Sequence, residues 1–577
     1  MILQALVSCY ETLRSDGKIP PRGWAPIKVS AALDLTEDGE IEQAFSLKEE
    51  QEKGKKKVLV PRIFELPAPT TRTAGIGANF LCDHSGYVLG FDQKGNPQRS
   101  LECFAACKAL HEKLLSSADS PAARALLAFF QKWEPEKTQE HPALQNCMDE
   151  ILSGENLIFR YQGQFIHEDH AVREAWQRYY DAGGNGSEMI CLVTGEKVPI
   201  ENIHPAVKGV RGAQSSGAAL VSFNAPAFCS YGKEQNFNAP TGKYAAFAYT
   251  SALNYLISNR EYNCYIGDTT VLFWAKNGKP AYSGIFGMGM FGKELPYTEQ
   301  ELQSMLQNLC RGNSVTYEET LLDPDMDFYI LGLAPNAGRL SVRFFLHNNF
   351  GGILRNVQAH QERLKIIKPS FYPFETFPLW KILSETVNKN SRDQDPAPEL
   401  AGETLRAILN NIRYPATLLN AVELRIRAER EITPGRAAVI KAFYLQNSNP
   451  NVPKEVLSVS LNPQSTNLYY TLGRLFSVLE AIQSAANPGI NATIKDRYFN
   501  SASATPSIVF PVLLNLAQKH LKKLSDGQRI FFEKQITELL AVLGEEFPVY
   551  MNLQQQGVFQ LGYYHQLQQR YQKKEEN

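Results

Sequence analysis

The chain has 577 residues, with 59 Lys and Arg against 60 Asp and Glu and a net charge of −1. That length supports several domains around a sizeable core, and the charge balance excludes a global basic field, so any nucleic-acid site must be a local patch. Nine Cys without a C-x-x-C fit reduced thiols in a cytoplasmic protein rather than a disulfide framework, and no apolar run approaches the about 18 residues of a membrane span.

The charge is unevenly spread. Residues 401–577 hold 19 basic and 14 acidic residues, the rest 40 and 46. Taken in order, residues 2–14 carry a helical stripe of Ile2, Leu3, Leu6, Val7, Tyr10 and Leu13, stopped by Pro20-Pro21. The start lacks a basic region before its apolar residues and reads as an amphipathic helix, not a signal peptide. Strands are expected at 28–35 and 44–47, and the charged run 49–57 at a solvated hairpin tip. A Gly-containing loop over Arg72–Asn79 separates extended chain from strands expected at 80–81 and 87–90. Two helices fill 99–132, broken at Ser120-Pro121, with Ser120 as cap. A helix at 143–152, a hairpin around Gly163 and a helix at 171–180 come next.

Cys191–Pro240 is the least ordinary stretch: Gly, Ser, Asn and Pro between short apolar runs, too irregular for a long helix and too apolar for a linker. It reads as a long ordered loop on a scaffold. Then come a helix at 245–257, strands at 269–274 and 280–285 around Asn277-Gly278, a helix at 298–310, and a hairpin of 328–333 and 339–345 around APNAG. In RLSVRFF, Leu340, Val342 and Phe344 alternate with Arg339, Ser341 and Arg343, giving one buried and one cationic face. The polar segment 388–402 reads as a domain boundary. Helical patterns occupy 403–412, 416–431, 433–445, 466–486, 507–524, 526–543 and 560–572. The class is therefore α+β: mixed α/β N-terminal and central regions with β-hairpins, then an all-α C-terminal bundle. The expected domains are 1–186, 187–395 and 396–577.

Catalytic motifs fare poorly. Gly287–Gly292 matches G-x-G-x-x-G, but no amphipathic helix opens after it to hold a pyrophosphate. Ala213-Gln214-Ser215-Ser216-Gly217 lacks the first Gly of a nucleophile elbow, and SGAALVSF resembles a strand where the elbow needs a helix. Asp323, Asp325 and Asp327 begin like a calcium loop, but Phe328 and Ala334 stand where Gly and Glu belong. Cys191, His204 and Cys229 fit no standard zinc spacing. No metal or cofactor is expected. The competing enzymatic reading is a nuclease or hydrolase through the region of His204 and Ser215.

HPAVKGVRGAQSSGAALVSFNAPAF and SYGKEQNFNAP in the central stretch, with RTAGIGANFLCDHSGYVLG, LGLAPNAGRLSVRFF, NATIKDRYFNSASATPSIVFP and LGYYHQ in the same order along the chain, resemble the type I-C CRISPR Cascade large subunit, the Csd-type family. The resemblance implies a non-catalytic subunit of an RNA-guided surveillance complex that reads a short motif, the PAM, on double-stranded DNA and helps open the duplex. The implied partners are the crRNA, the subunit at its 5′ end, backbone and small subunits, target DNA with its displaced strand, and a separate helicase–nuclease, with no membrane. Guide pairing supplies sequence specificity in such complexes, so a few local donors suffice.

Three groups of residues are the expected contacts. Arg72, Thr73 and Asn79 are assigned to the PAM, since an Asn side chain both donates to and accepts from a groove edge. Lys208, Arg211, Gln214, Ser215 and Asn224 are assigned to nucleic acid or a neighbouring subunit, because Gly/Ser-rich backbone lets cations approach phosphates. Lys519, Lys522 and Lys523, spaced on one helix face, with Arg474, Lys495 and Arg497, are assigned to the displaced strand. Glu423–Arg427 and Arg425–Glu429 are expected only as ion pairs within a helix.

Overall fold

Burial on both faces marks an early strand. Ala31, Ala32, Leu33 and Leu35 are buried in a stretch that ends at a Gly-containing turn. The structure, a computed structural model, describes residues 1–53, 56–70, 75–93, 96–182, 187–293, 299–392, 394–448 and 450–571. Apart from the first two residues, contacts divide the chain into unit 1, residues 3–205 with 221–252, and unit 2, residues 206–220 with 253–577. The fold is α+β, as the sequence predicts.

Unit 1 opens with α1 (Ile2–Ser15), which buries Leu6, Tyr10 and Leu13. Strands β1 (Trp24–Val29), β2 (Ala31–Leu35), β3 (Ile41–Ser46), β4 (Lys48–Lys53) and β5 (Lys56–Pro67) succeed one another closely. They are shared between two sheets: β1-β5-β4, and β3-β2-β7-β6 with β6 (Asp83–His84) and β7 (Asn156–Tyr161), while β8 (Gln164–Phe165) folds back on β7. The charged run thus forms the arms of the β4–β5 hairpin, and its tip at 54–55 lies outside the described residues. Helices α2 (Ser85–Val88), α3 (Pro97–Leu115), α4 (Pro121–Lys132), α5 (Met148–Leu152) and α6 (His170–Ala182) contribute to a core of Leu33, Phe80, Phe129, Phe159 and Trp176. Ser120 caps α4 as expected, its hydroxyl accepting from Ala123 N at 3.3 Å. The strands expected at 80–81 and 87–90 are not formed. His84 caps a helical turn instead, its ring accepting the Gly86 N–H. A small hairpin of β9 (Glu188–Ile190) and β10 (Lys197–Pro199) precedes α7 (Lys243–Ser258).

Unit 2 is built on an antiparallel sheet. It comprises β11 (Asn263–Ile266), β12 (Thr269–Ala275), β15 (Asp327–Asn336) and β16 (Arg339–Asn349), in that order, with a separate hairpin of β13 (Val315–Tyr317) and β14 (Thr320–Leu322). Helices α8 (Pro280–Phe291), α9 (Glu299–Cys310) and α10 (Phe350–Leu364) bring Tyr282, Phe286 and Ile353 into one core with Phe273, Phe328 and Ile330. Residues 280–285 are therefore helix, not strand. Pro280 sits in the first helical turn, where its missing N–H is harmless. The G-x-G-x-x-G lies at the end of α8, where Gly292 takes φ +66° as the cap, so among the described residues the motif closes a helix rather than opening one onto a phosphate. In β16 the register shifts opposite Gly332/Leu333, and Val342 turns out to solvent instead of joining the buried face.

The same core continues through α11 (Leu379–Ser384), α12 (Pro398–Leu409), α13 (Ala416–Glu429), α14 (Pro434–Asn447), α15 (Leu468–Ala486), α16 (Ile494–Ala504), α17 (Pro506–Leu521), α18 (Asp526–Leu543) and α19 (Leu553–Gln569). Helix α16 is absent from the expected helices; a capping box of Thr493 and Asp496 starts it. Helices α15 and α19 cross so closely that Gly473 lies against the Phe559 carbonyl and Gly562 against that of Tyr470. Glu423 and Arg427 do not pair: Glu423 is buried, and Arg427 donates to Gln556 Oε1 at 2.7 Å. Arg425 and Glu429 do pair, at 3.8 Å. Fully buried Arg436 is held by Glu385 at 3.5 Å, by Glu429 and by the Glu431 carbonyl at 2.9 Å. Lys381 and Thr433 complete the Glu385 site at 2.7 and 2.8 Å. Among the described residues, no helix is long and apolar enough to cross a membrane.

Candidate nucleic-acid interface

The loop before α2 is braced from several sides. Asn79 Oδ1 accepts from Thr70 N at 3.0 Å and Thr70 Oγ1 at 3.1 Å, closing the loop across nine residues. The Asn79 N–H donates to Asp83 Oδ2 at 3.0 Å, and Gly77 N–H donates to the Tyr87 hydroxyl at 3.3 Å. Leu81 adopts φ +65°, a left-handed conformation uncommon outside Gly, and its N–H is received by His111 Nε2 at 3.0 Å. The other ring nitrogen, Nδ1–H, donates to the Cys107 carbonyl at 2.8 Å. The ring is enclosed by Phe80 and Phe130, and burial holds its pKa down at about 4. His111 is thus a neutral acceptor under the loop. Sequence reading misses it because its partner lies 30 residues away. Of the three residues assigned to the PAM, Arg72 and Thr73 lie outside the described residues. Asn79 is half-buried, and with its oxygen committed to Thr70 it offers a base edge its NH2 group, a donor only.

In unit 2, residues 206–220 form a loop fixed at both ends. Lys208 N donates to Asn254 Oδ1 at 2.8 Å, and Ala219 bridges the turn into β16 through Gly338 O and Leu340 N. Gly209 and Gly212 take φ +84° and +78°, bringing the backbone against Ile257 and Pro335. The loop presents Lys208, Arg211, Gln214 and Ser215 to solvent. The Arg211 guanidinium is paired with Asp395 at 3.3 Å, an exposed pair of small energetic weight. Asn224 is exposed on the part of the stretch that belongs to unit 1.

In the helical region, Arg474 donates to Gln566 Oε1 at 3.1 Å and to the Pro463 carbonyl at 3.4 Å, lining a cavity of about 350 Å³ with Gln535, Glu538 and Gln569. It is a partnered cavity residue rather than a free surface cation. Lys495 Nζ lies 5.8 Å from the Tyr563 ring centre, and Arg497 is exposed. Lys519, Lys522 and Lys523 are exposed around the end of α17, where Lys522 is the cap, and Lys523 reaches Asn487 Oδ1 at 3.2 Å. Cations at a helix C-terminus also complement its dipole.

The residues of the enzymatic reading have other tasks. His204 is buried, with Nδ1 2.6 Å from the Tyr249 hydroxyl, and burial lowers its pKa to about 4. Ser215 lies on an exposed turn of the 206–220 loop. Burial raises the Cys191 thiol, but N–H groups of Gly242 and Val193 and the Thr194 side chain donate to it and outweigh that, holding its pKa below the ordinary value. Among the described residues, no group of three or more His, Cys, Asp or Glu could hold a metal ion.

Comparison with known proteins places the chain among CRISPR-associated proteins. The family described as CRISPR-associated protein (Cas_Csd1) matches residues 6–571, and the chain belongs to that family. None of the curated proteins matches it.

Proposed function

We propose that this chain is the non-catalytic large subunit of a type I-C RNA-guided surveillance complex. It recognises the PAM in double-stranded DNA, promotes duplex opening and R-loop formation, and supports recruitment of the helicase–nuclease. Family membership over residues 6–571 carries the reading. The described residues of 70–83 support it locally: bonds from Thr70, to Asp83 and to His111 hold Asn79 and Leu81 in place, and Asn79 keeps one polar donor free in unit 1. A rigidly held donor loses little entropy on meeting a base edge. Such a contact suffices because R-loop formation is near balance energetically and guide pairing carries the sequence. The commitment of His204 to Tyr249 supports a structural part for that residue.

The test is Asn79→Ala in the assembled complex, scored against a library of duplexes differing at the PAM. Removing one good base contact predicts weaker PAM-duplex binding by about 1–3 kcal/mol, with guide-RNA loading intact. Unchanged binding and unchanged PAM preference would remove Asn79 from the reading. Nucleic-acid cleavage by the purified chain alone, abolished by Ser215→Ala, would replace the reading with the enzymatic one.

A further inference from the structure

Three aromatic side chains stand opposite one another on adjacent strands of the unit 2 sheet. Trp274 of β12 pairs in register with Tyr329 of β15, and Tyr329 with His347 of β16. Their rings are stacked: centroids 5.3 Å apart at 23° for Trp274–Tyr329, and 4.6 Å apart at 13° for Tyr329–His347. Phe345, two residues back along β16 on the same face, lies nearly parallel to Tyr329 at 6.2 Å. The ladder runs from core to solvent. Trp274 is fully buried, Tyr329 and Phe345 are half-buried, and the His347 side chain is 42% exposed.

β16 is an edge strand. The bridge to Ala219 covers its start at Arg339, and among the described residues no strand pairs with it at His347. The last ring of the ladder therefore has no further strand over its outer face. The charges around it form no basic patch: Asp268, Asp325 and Asp327 stand against Lys276 and Arg343, so attraction for a ligand rests on the ring face. His347 Nε2 lies 2.8 Å from Asp327 Oδ1, and Lys276 meets the same carboxylate at 3.2 Å, so Asp327 is balanced by its own partners. Asp325 is engaged by Asn349 at 3.4 Å. Arg343, the residue inserted at the register shift, is partly exposed beside Asp268 at 3.0 Å.

The geometry points to this edge as a base-stacking platform for single-stranded nucleic acid, with an unpaired base adding to the ladder on His347. Stacking on an aromatic tolerates any base, because every base has a π face. The platform therefore reads the presence of unpaired bases rather than a sequence. It stands on the sheet geometry and not on the reading of the 70–83 loop. The chemistry is shared by a displaced DNA strand and by exposed guide RNA.

The experiment measures binding of the full chain to fluorescent homothymidine, homouridine and abasic oligonucleotides of equal length. Wild type should prefer base-bearing strands to the abasic one. His347→Ala should remove about tenfold of that preference, and His347→Phe, which keeps a stacking ring, should restore it. The thymidine and uridine arms show whether DNA or RNA is the ligand. Equal affinity of wild type for base-bearing and abasic strands, or an unaltered preference in His347→Ala, overturns the proposal. Should His347→Ala fail to fold, iodouracil photocrosslinking of the wild-type chain decides: a crosslink within 343–349 supports the platform and none there overturns it. In the assembled complex, PAM preference on fully paired duplex should be the same in His347→Ala and wild type, so the failure of either reading shows without the other.

Discussion

His111 couples acidity to the segment that carries Asn79. Its neutral Nε2 accepts the Leu81 N–H, and a proton placed there would face that N–H across 3.0 Å inside a ring of aromatics. Its pKa is about 4 in the folded chain against an ordinary 6.5. The sign is set by which state binds the proton first. As pH falls, the unfolded chain protonates from about 6.5 and the folded chain only near 4, so stability is complete above that window and declines through it. At about 1.4 kcal/mol per unit, His111 alone costs about 2 kcal/mol between pH 7 and pH 5 and about 3 by pH 4. His167 and His204, also in unit 1, sit near 4 for the same reason, desolvation. Three independent residues of this kind would cost about 6 kcal/mol by pH 5, comparable to the whole stability of a domain. The decisive variant is His111→Gln, whose amide oxygen can still accept from Leu81 but does not titrate. Urea unfolding would be monitored by tryptophan fluorescence, to which Trp176, stacked on Phe80 at 5.5 Å, contributes. At pH 7 the variant should lose about 1–2 kcal/mol of ring packing, while its pH 7-to-5 difference should shrink by about 2 kcal/mol. A pH dependence identical to wild type would show that His111 titrates near its ordinary value, and the reasoning would fail.

Arg436→Met should cost about 3–5 kcal/mol in thermal unfolding, since it leaves Glu385 buried beside Glu429 without the guanidinium. Adding Glu385→Gln should recover part of that, and no recovery would show that the charge is not the cause. Gly473→Ala would drive a methyl group into the Phe559 carbonyl across the α15–α19 crossing. Because backbone cannot give way, the destabilisation should be at the upper end of, or beyond, the about 1–3 kcal/mol of ordinary overpacking, and a wild-type melting temperature would contradict the close crossing. Reversing Lys519, Lys522 and Lys523 to Glu should lower stability by about 1–3 kcal/mol, because it places three anions at the C-terminal end of α17. It should weaken single-strand binding and make the salt slope shallower by about 0.7 for each phosphate these lysines neutralise in the wild type, leaving PAM preference alone. An unaltered slope would place the strand elsewhere on the protein.

The legible elements are those where periodicity and punctuation agree. Ser120-Pro121 marks a break and a cap at once, and APNAG lies between an apolar run and an alternating one that pair as β15 and β16. Residues 280–285 mislead because six residues are too few to resolve a period; the informative residue is Pro280 after the Asn277-Gly278 turn. Helix α16 is polar and short, but its Thr493–Asp496 spacing is that of a capping box. The pairing of β12 with β15 across two helices and a hairpin is out of reach, because no local signal states which strands pair across 50 residues.

The candidate sites are legible as chemistry and illegible as partnership. By residue type Asn79 is donor and acceptor together, yet Thr70 takes the acceptor half. Arg474 has the chemistry of a surface cation, yet Gln566 and the Pro463 carbonyl, 92 and 11 residues away, hold it in a cavity. Arg211 and Arg343 each meet an aspartate, whereas Lys208, Arg497, Lys519 and Lys522 stand exposed. In a chain of net charge −1, the basic residues able to bind a phosphate are those that folding leaves uncompensated. Counting Lys and Arg along the sequence therefore overstates the binding surface. The aromatic ladder reverses the error: Trp274, Tyr329 and His347 carry no motif, and only strand register reveals that they are stacked.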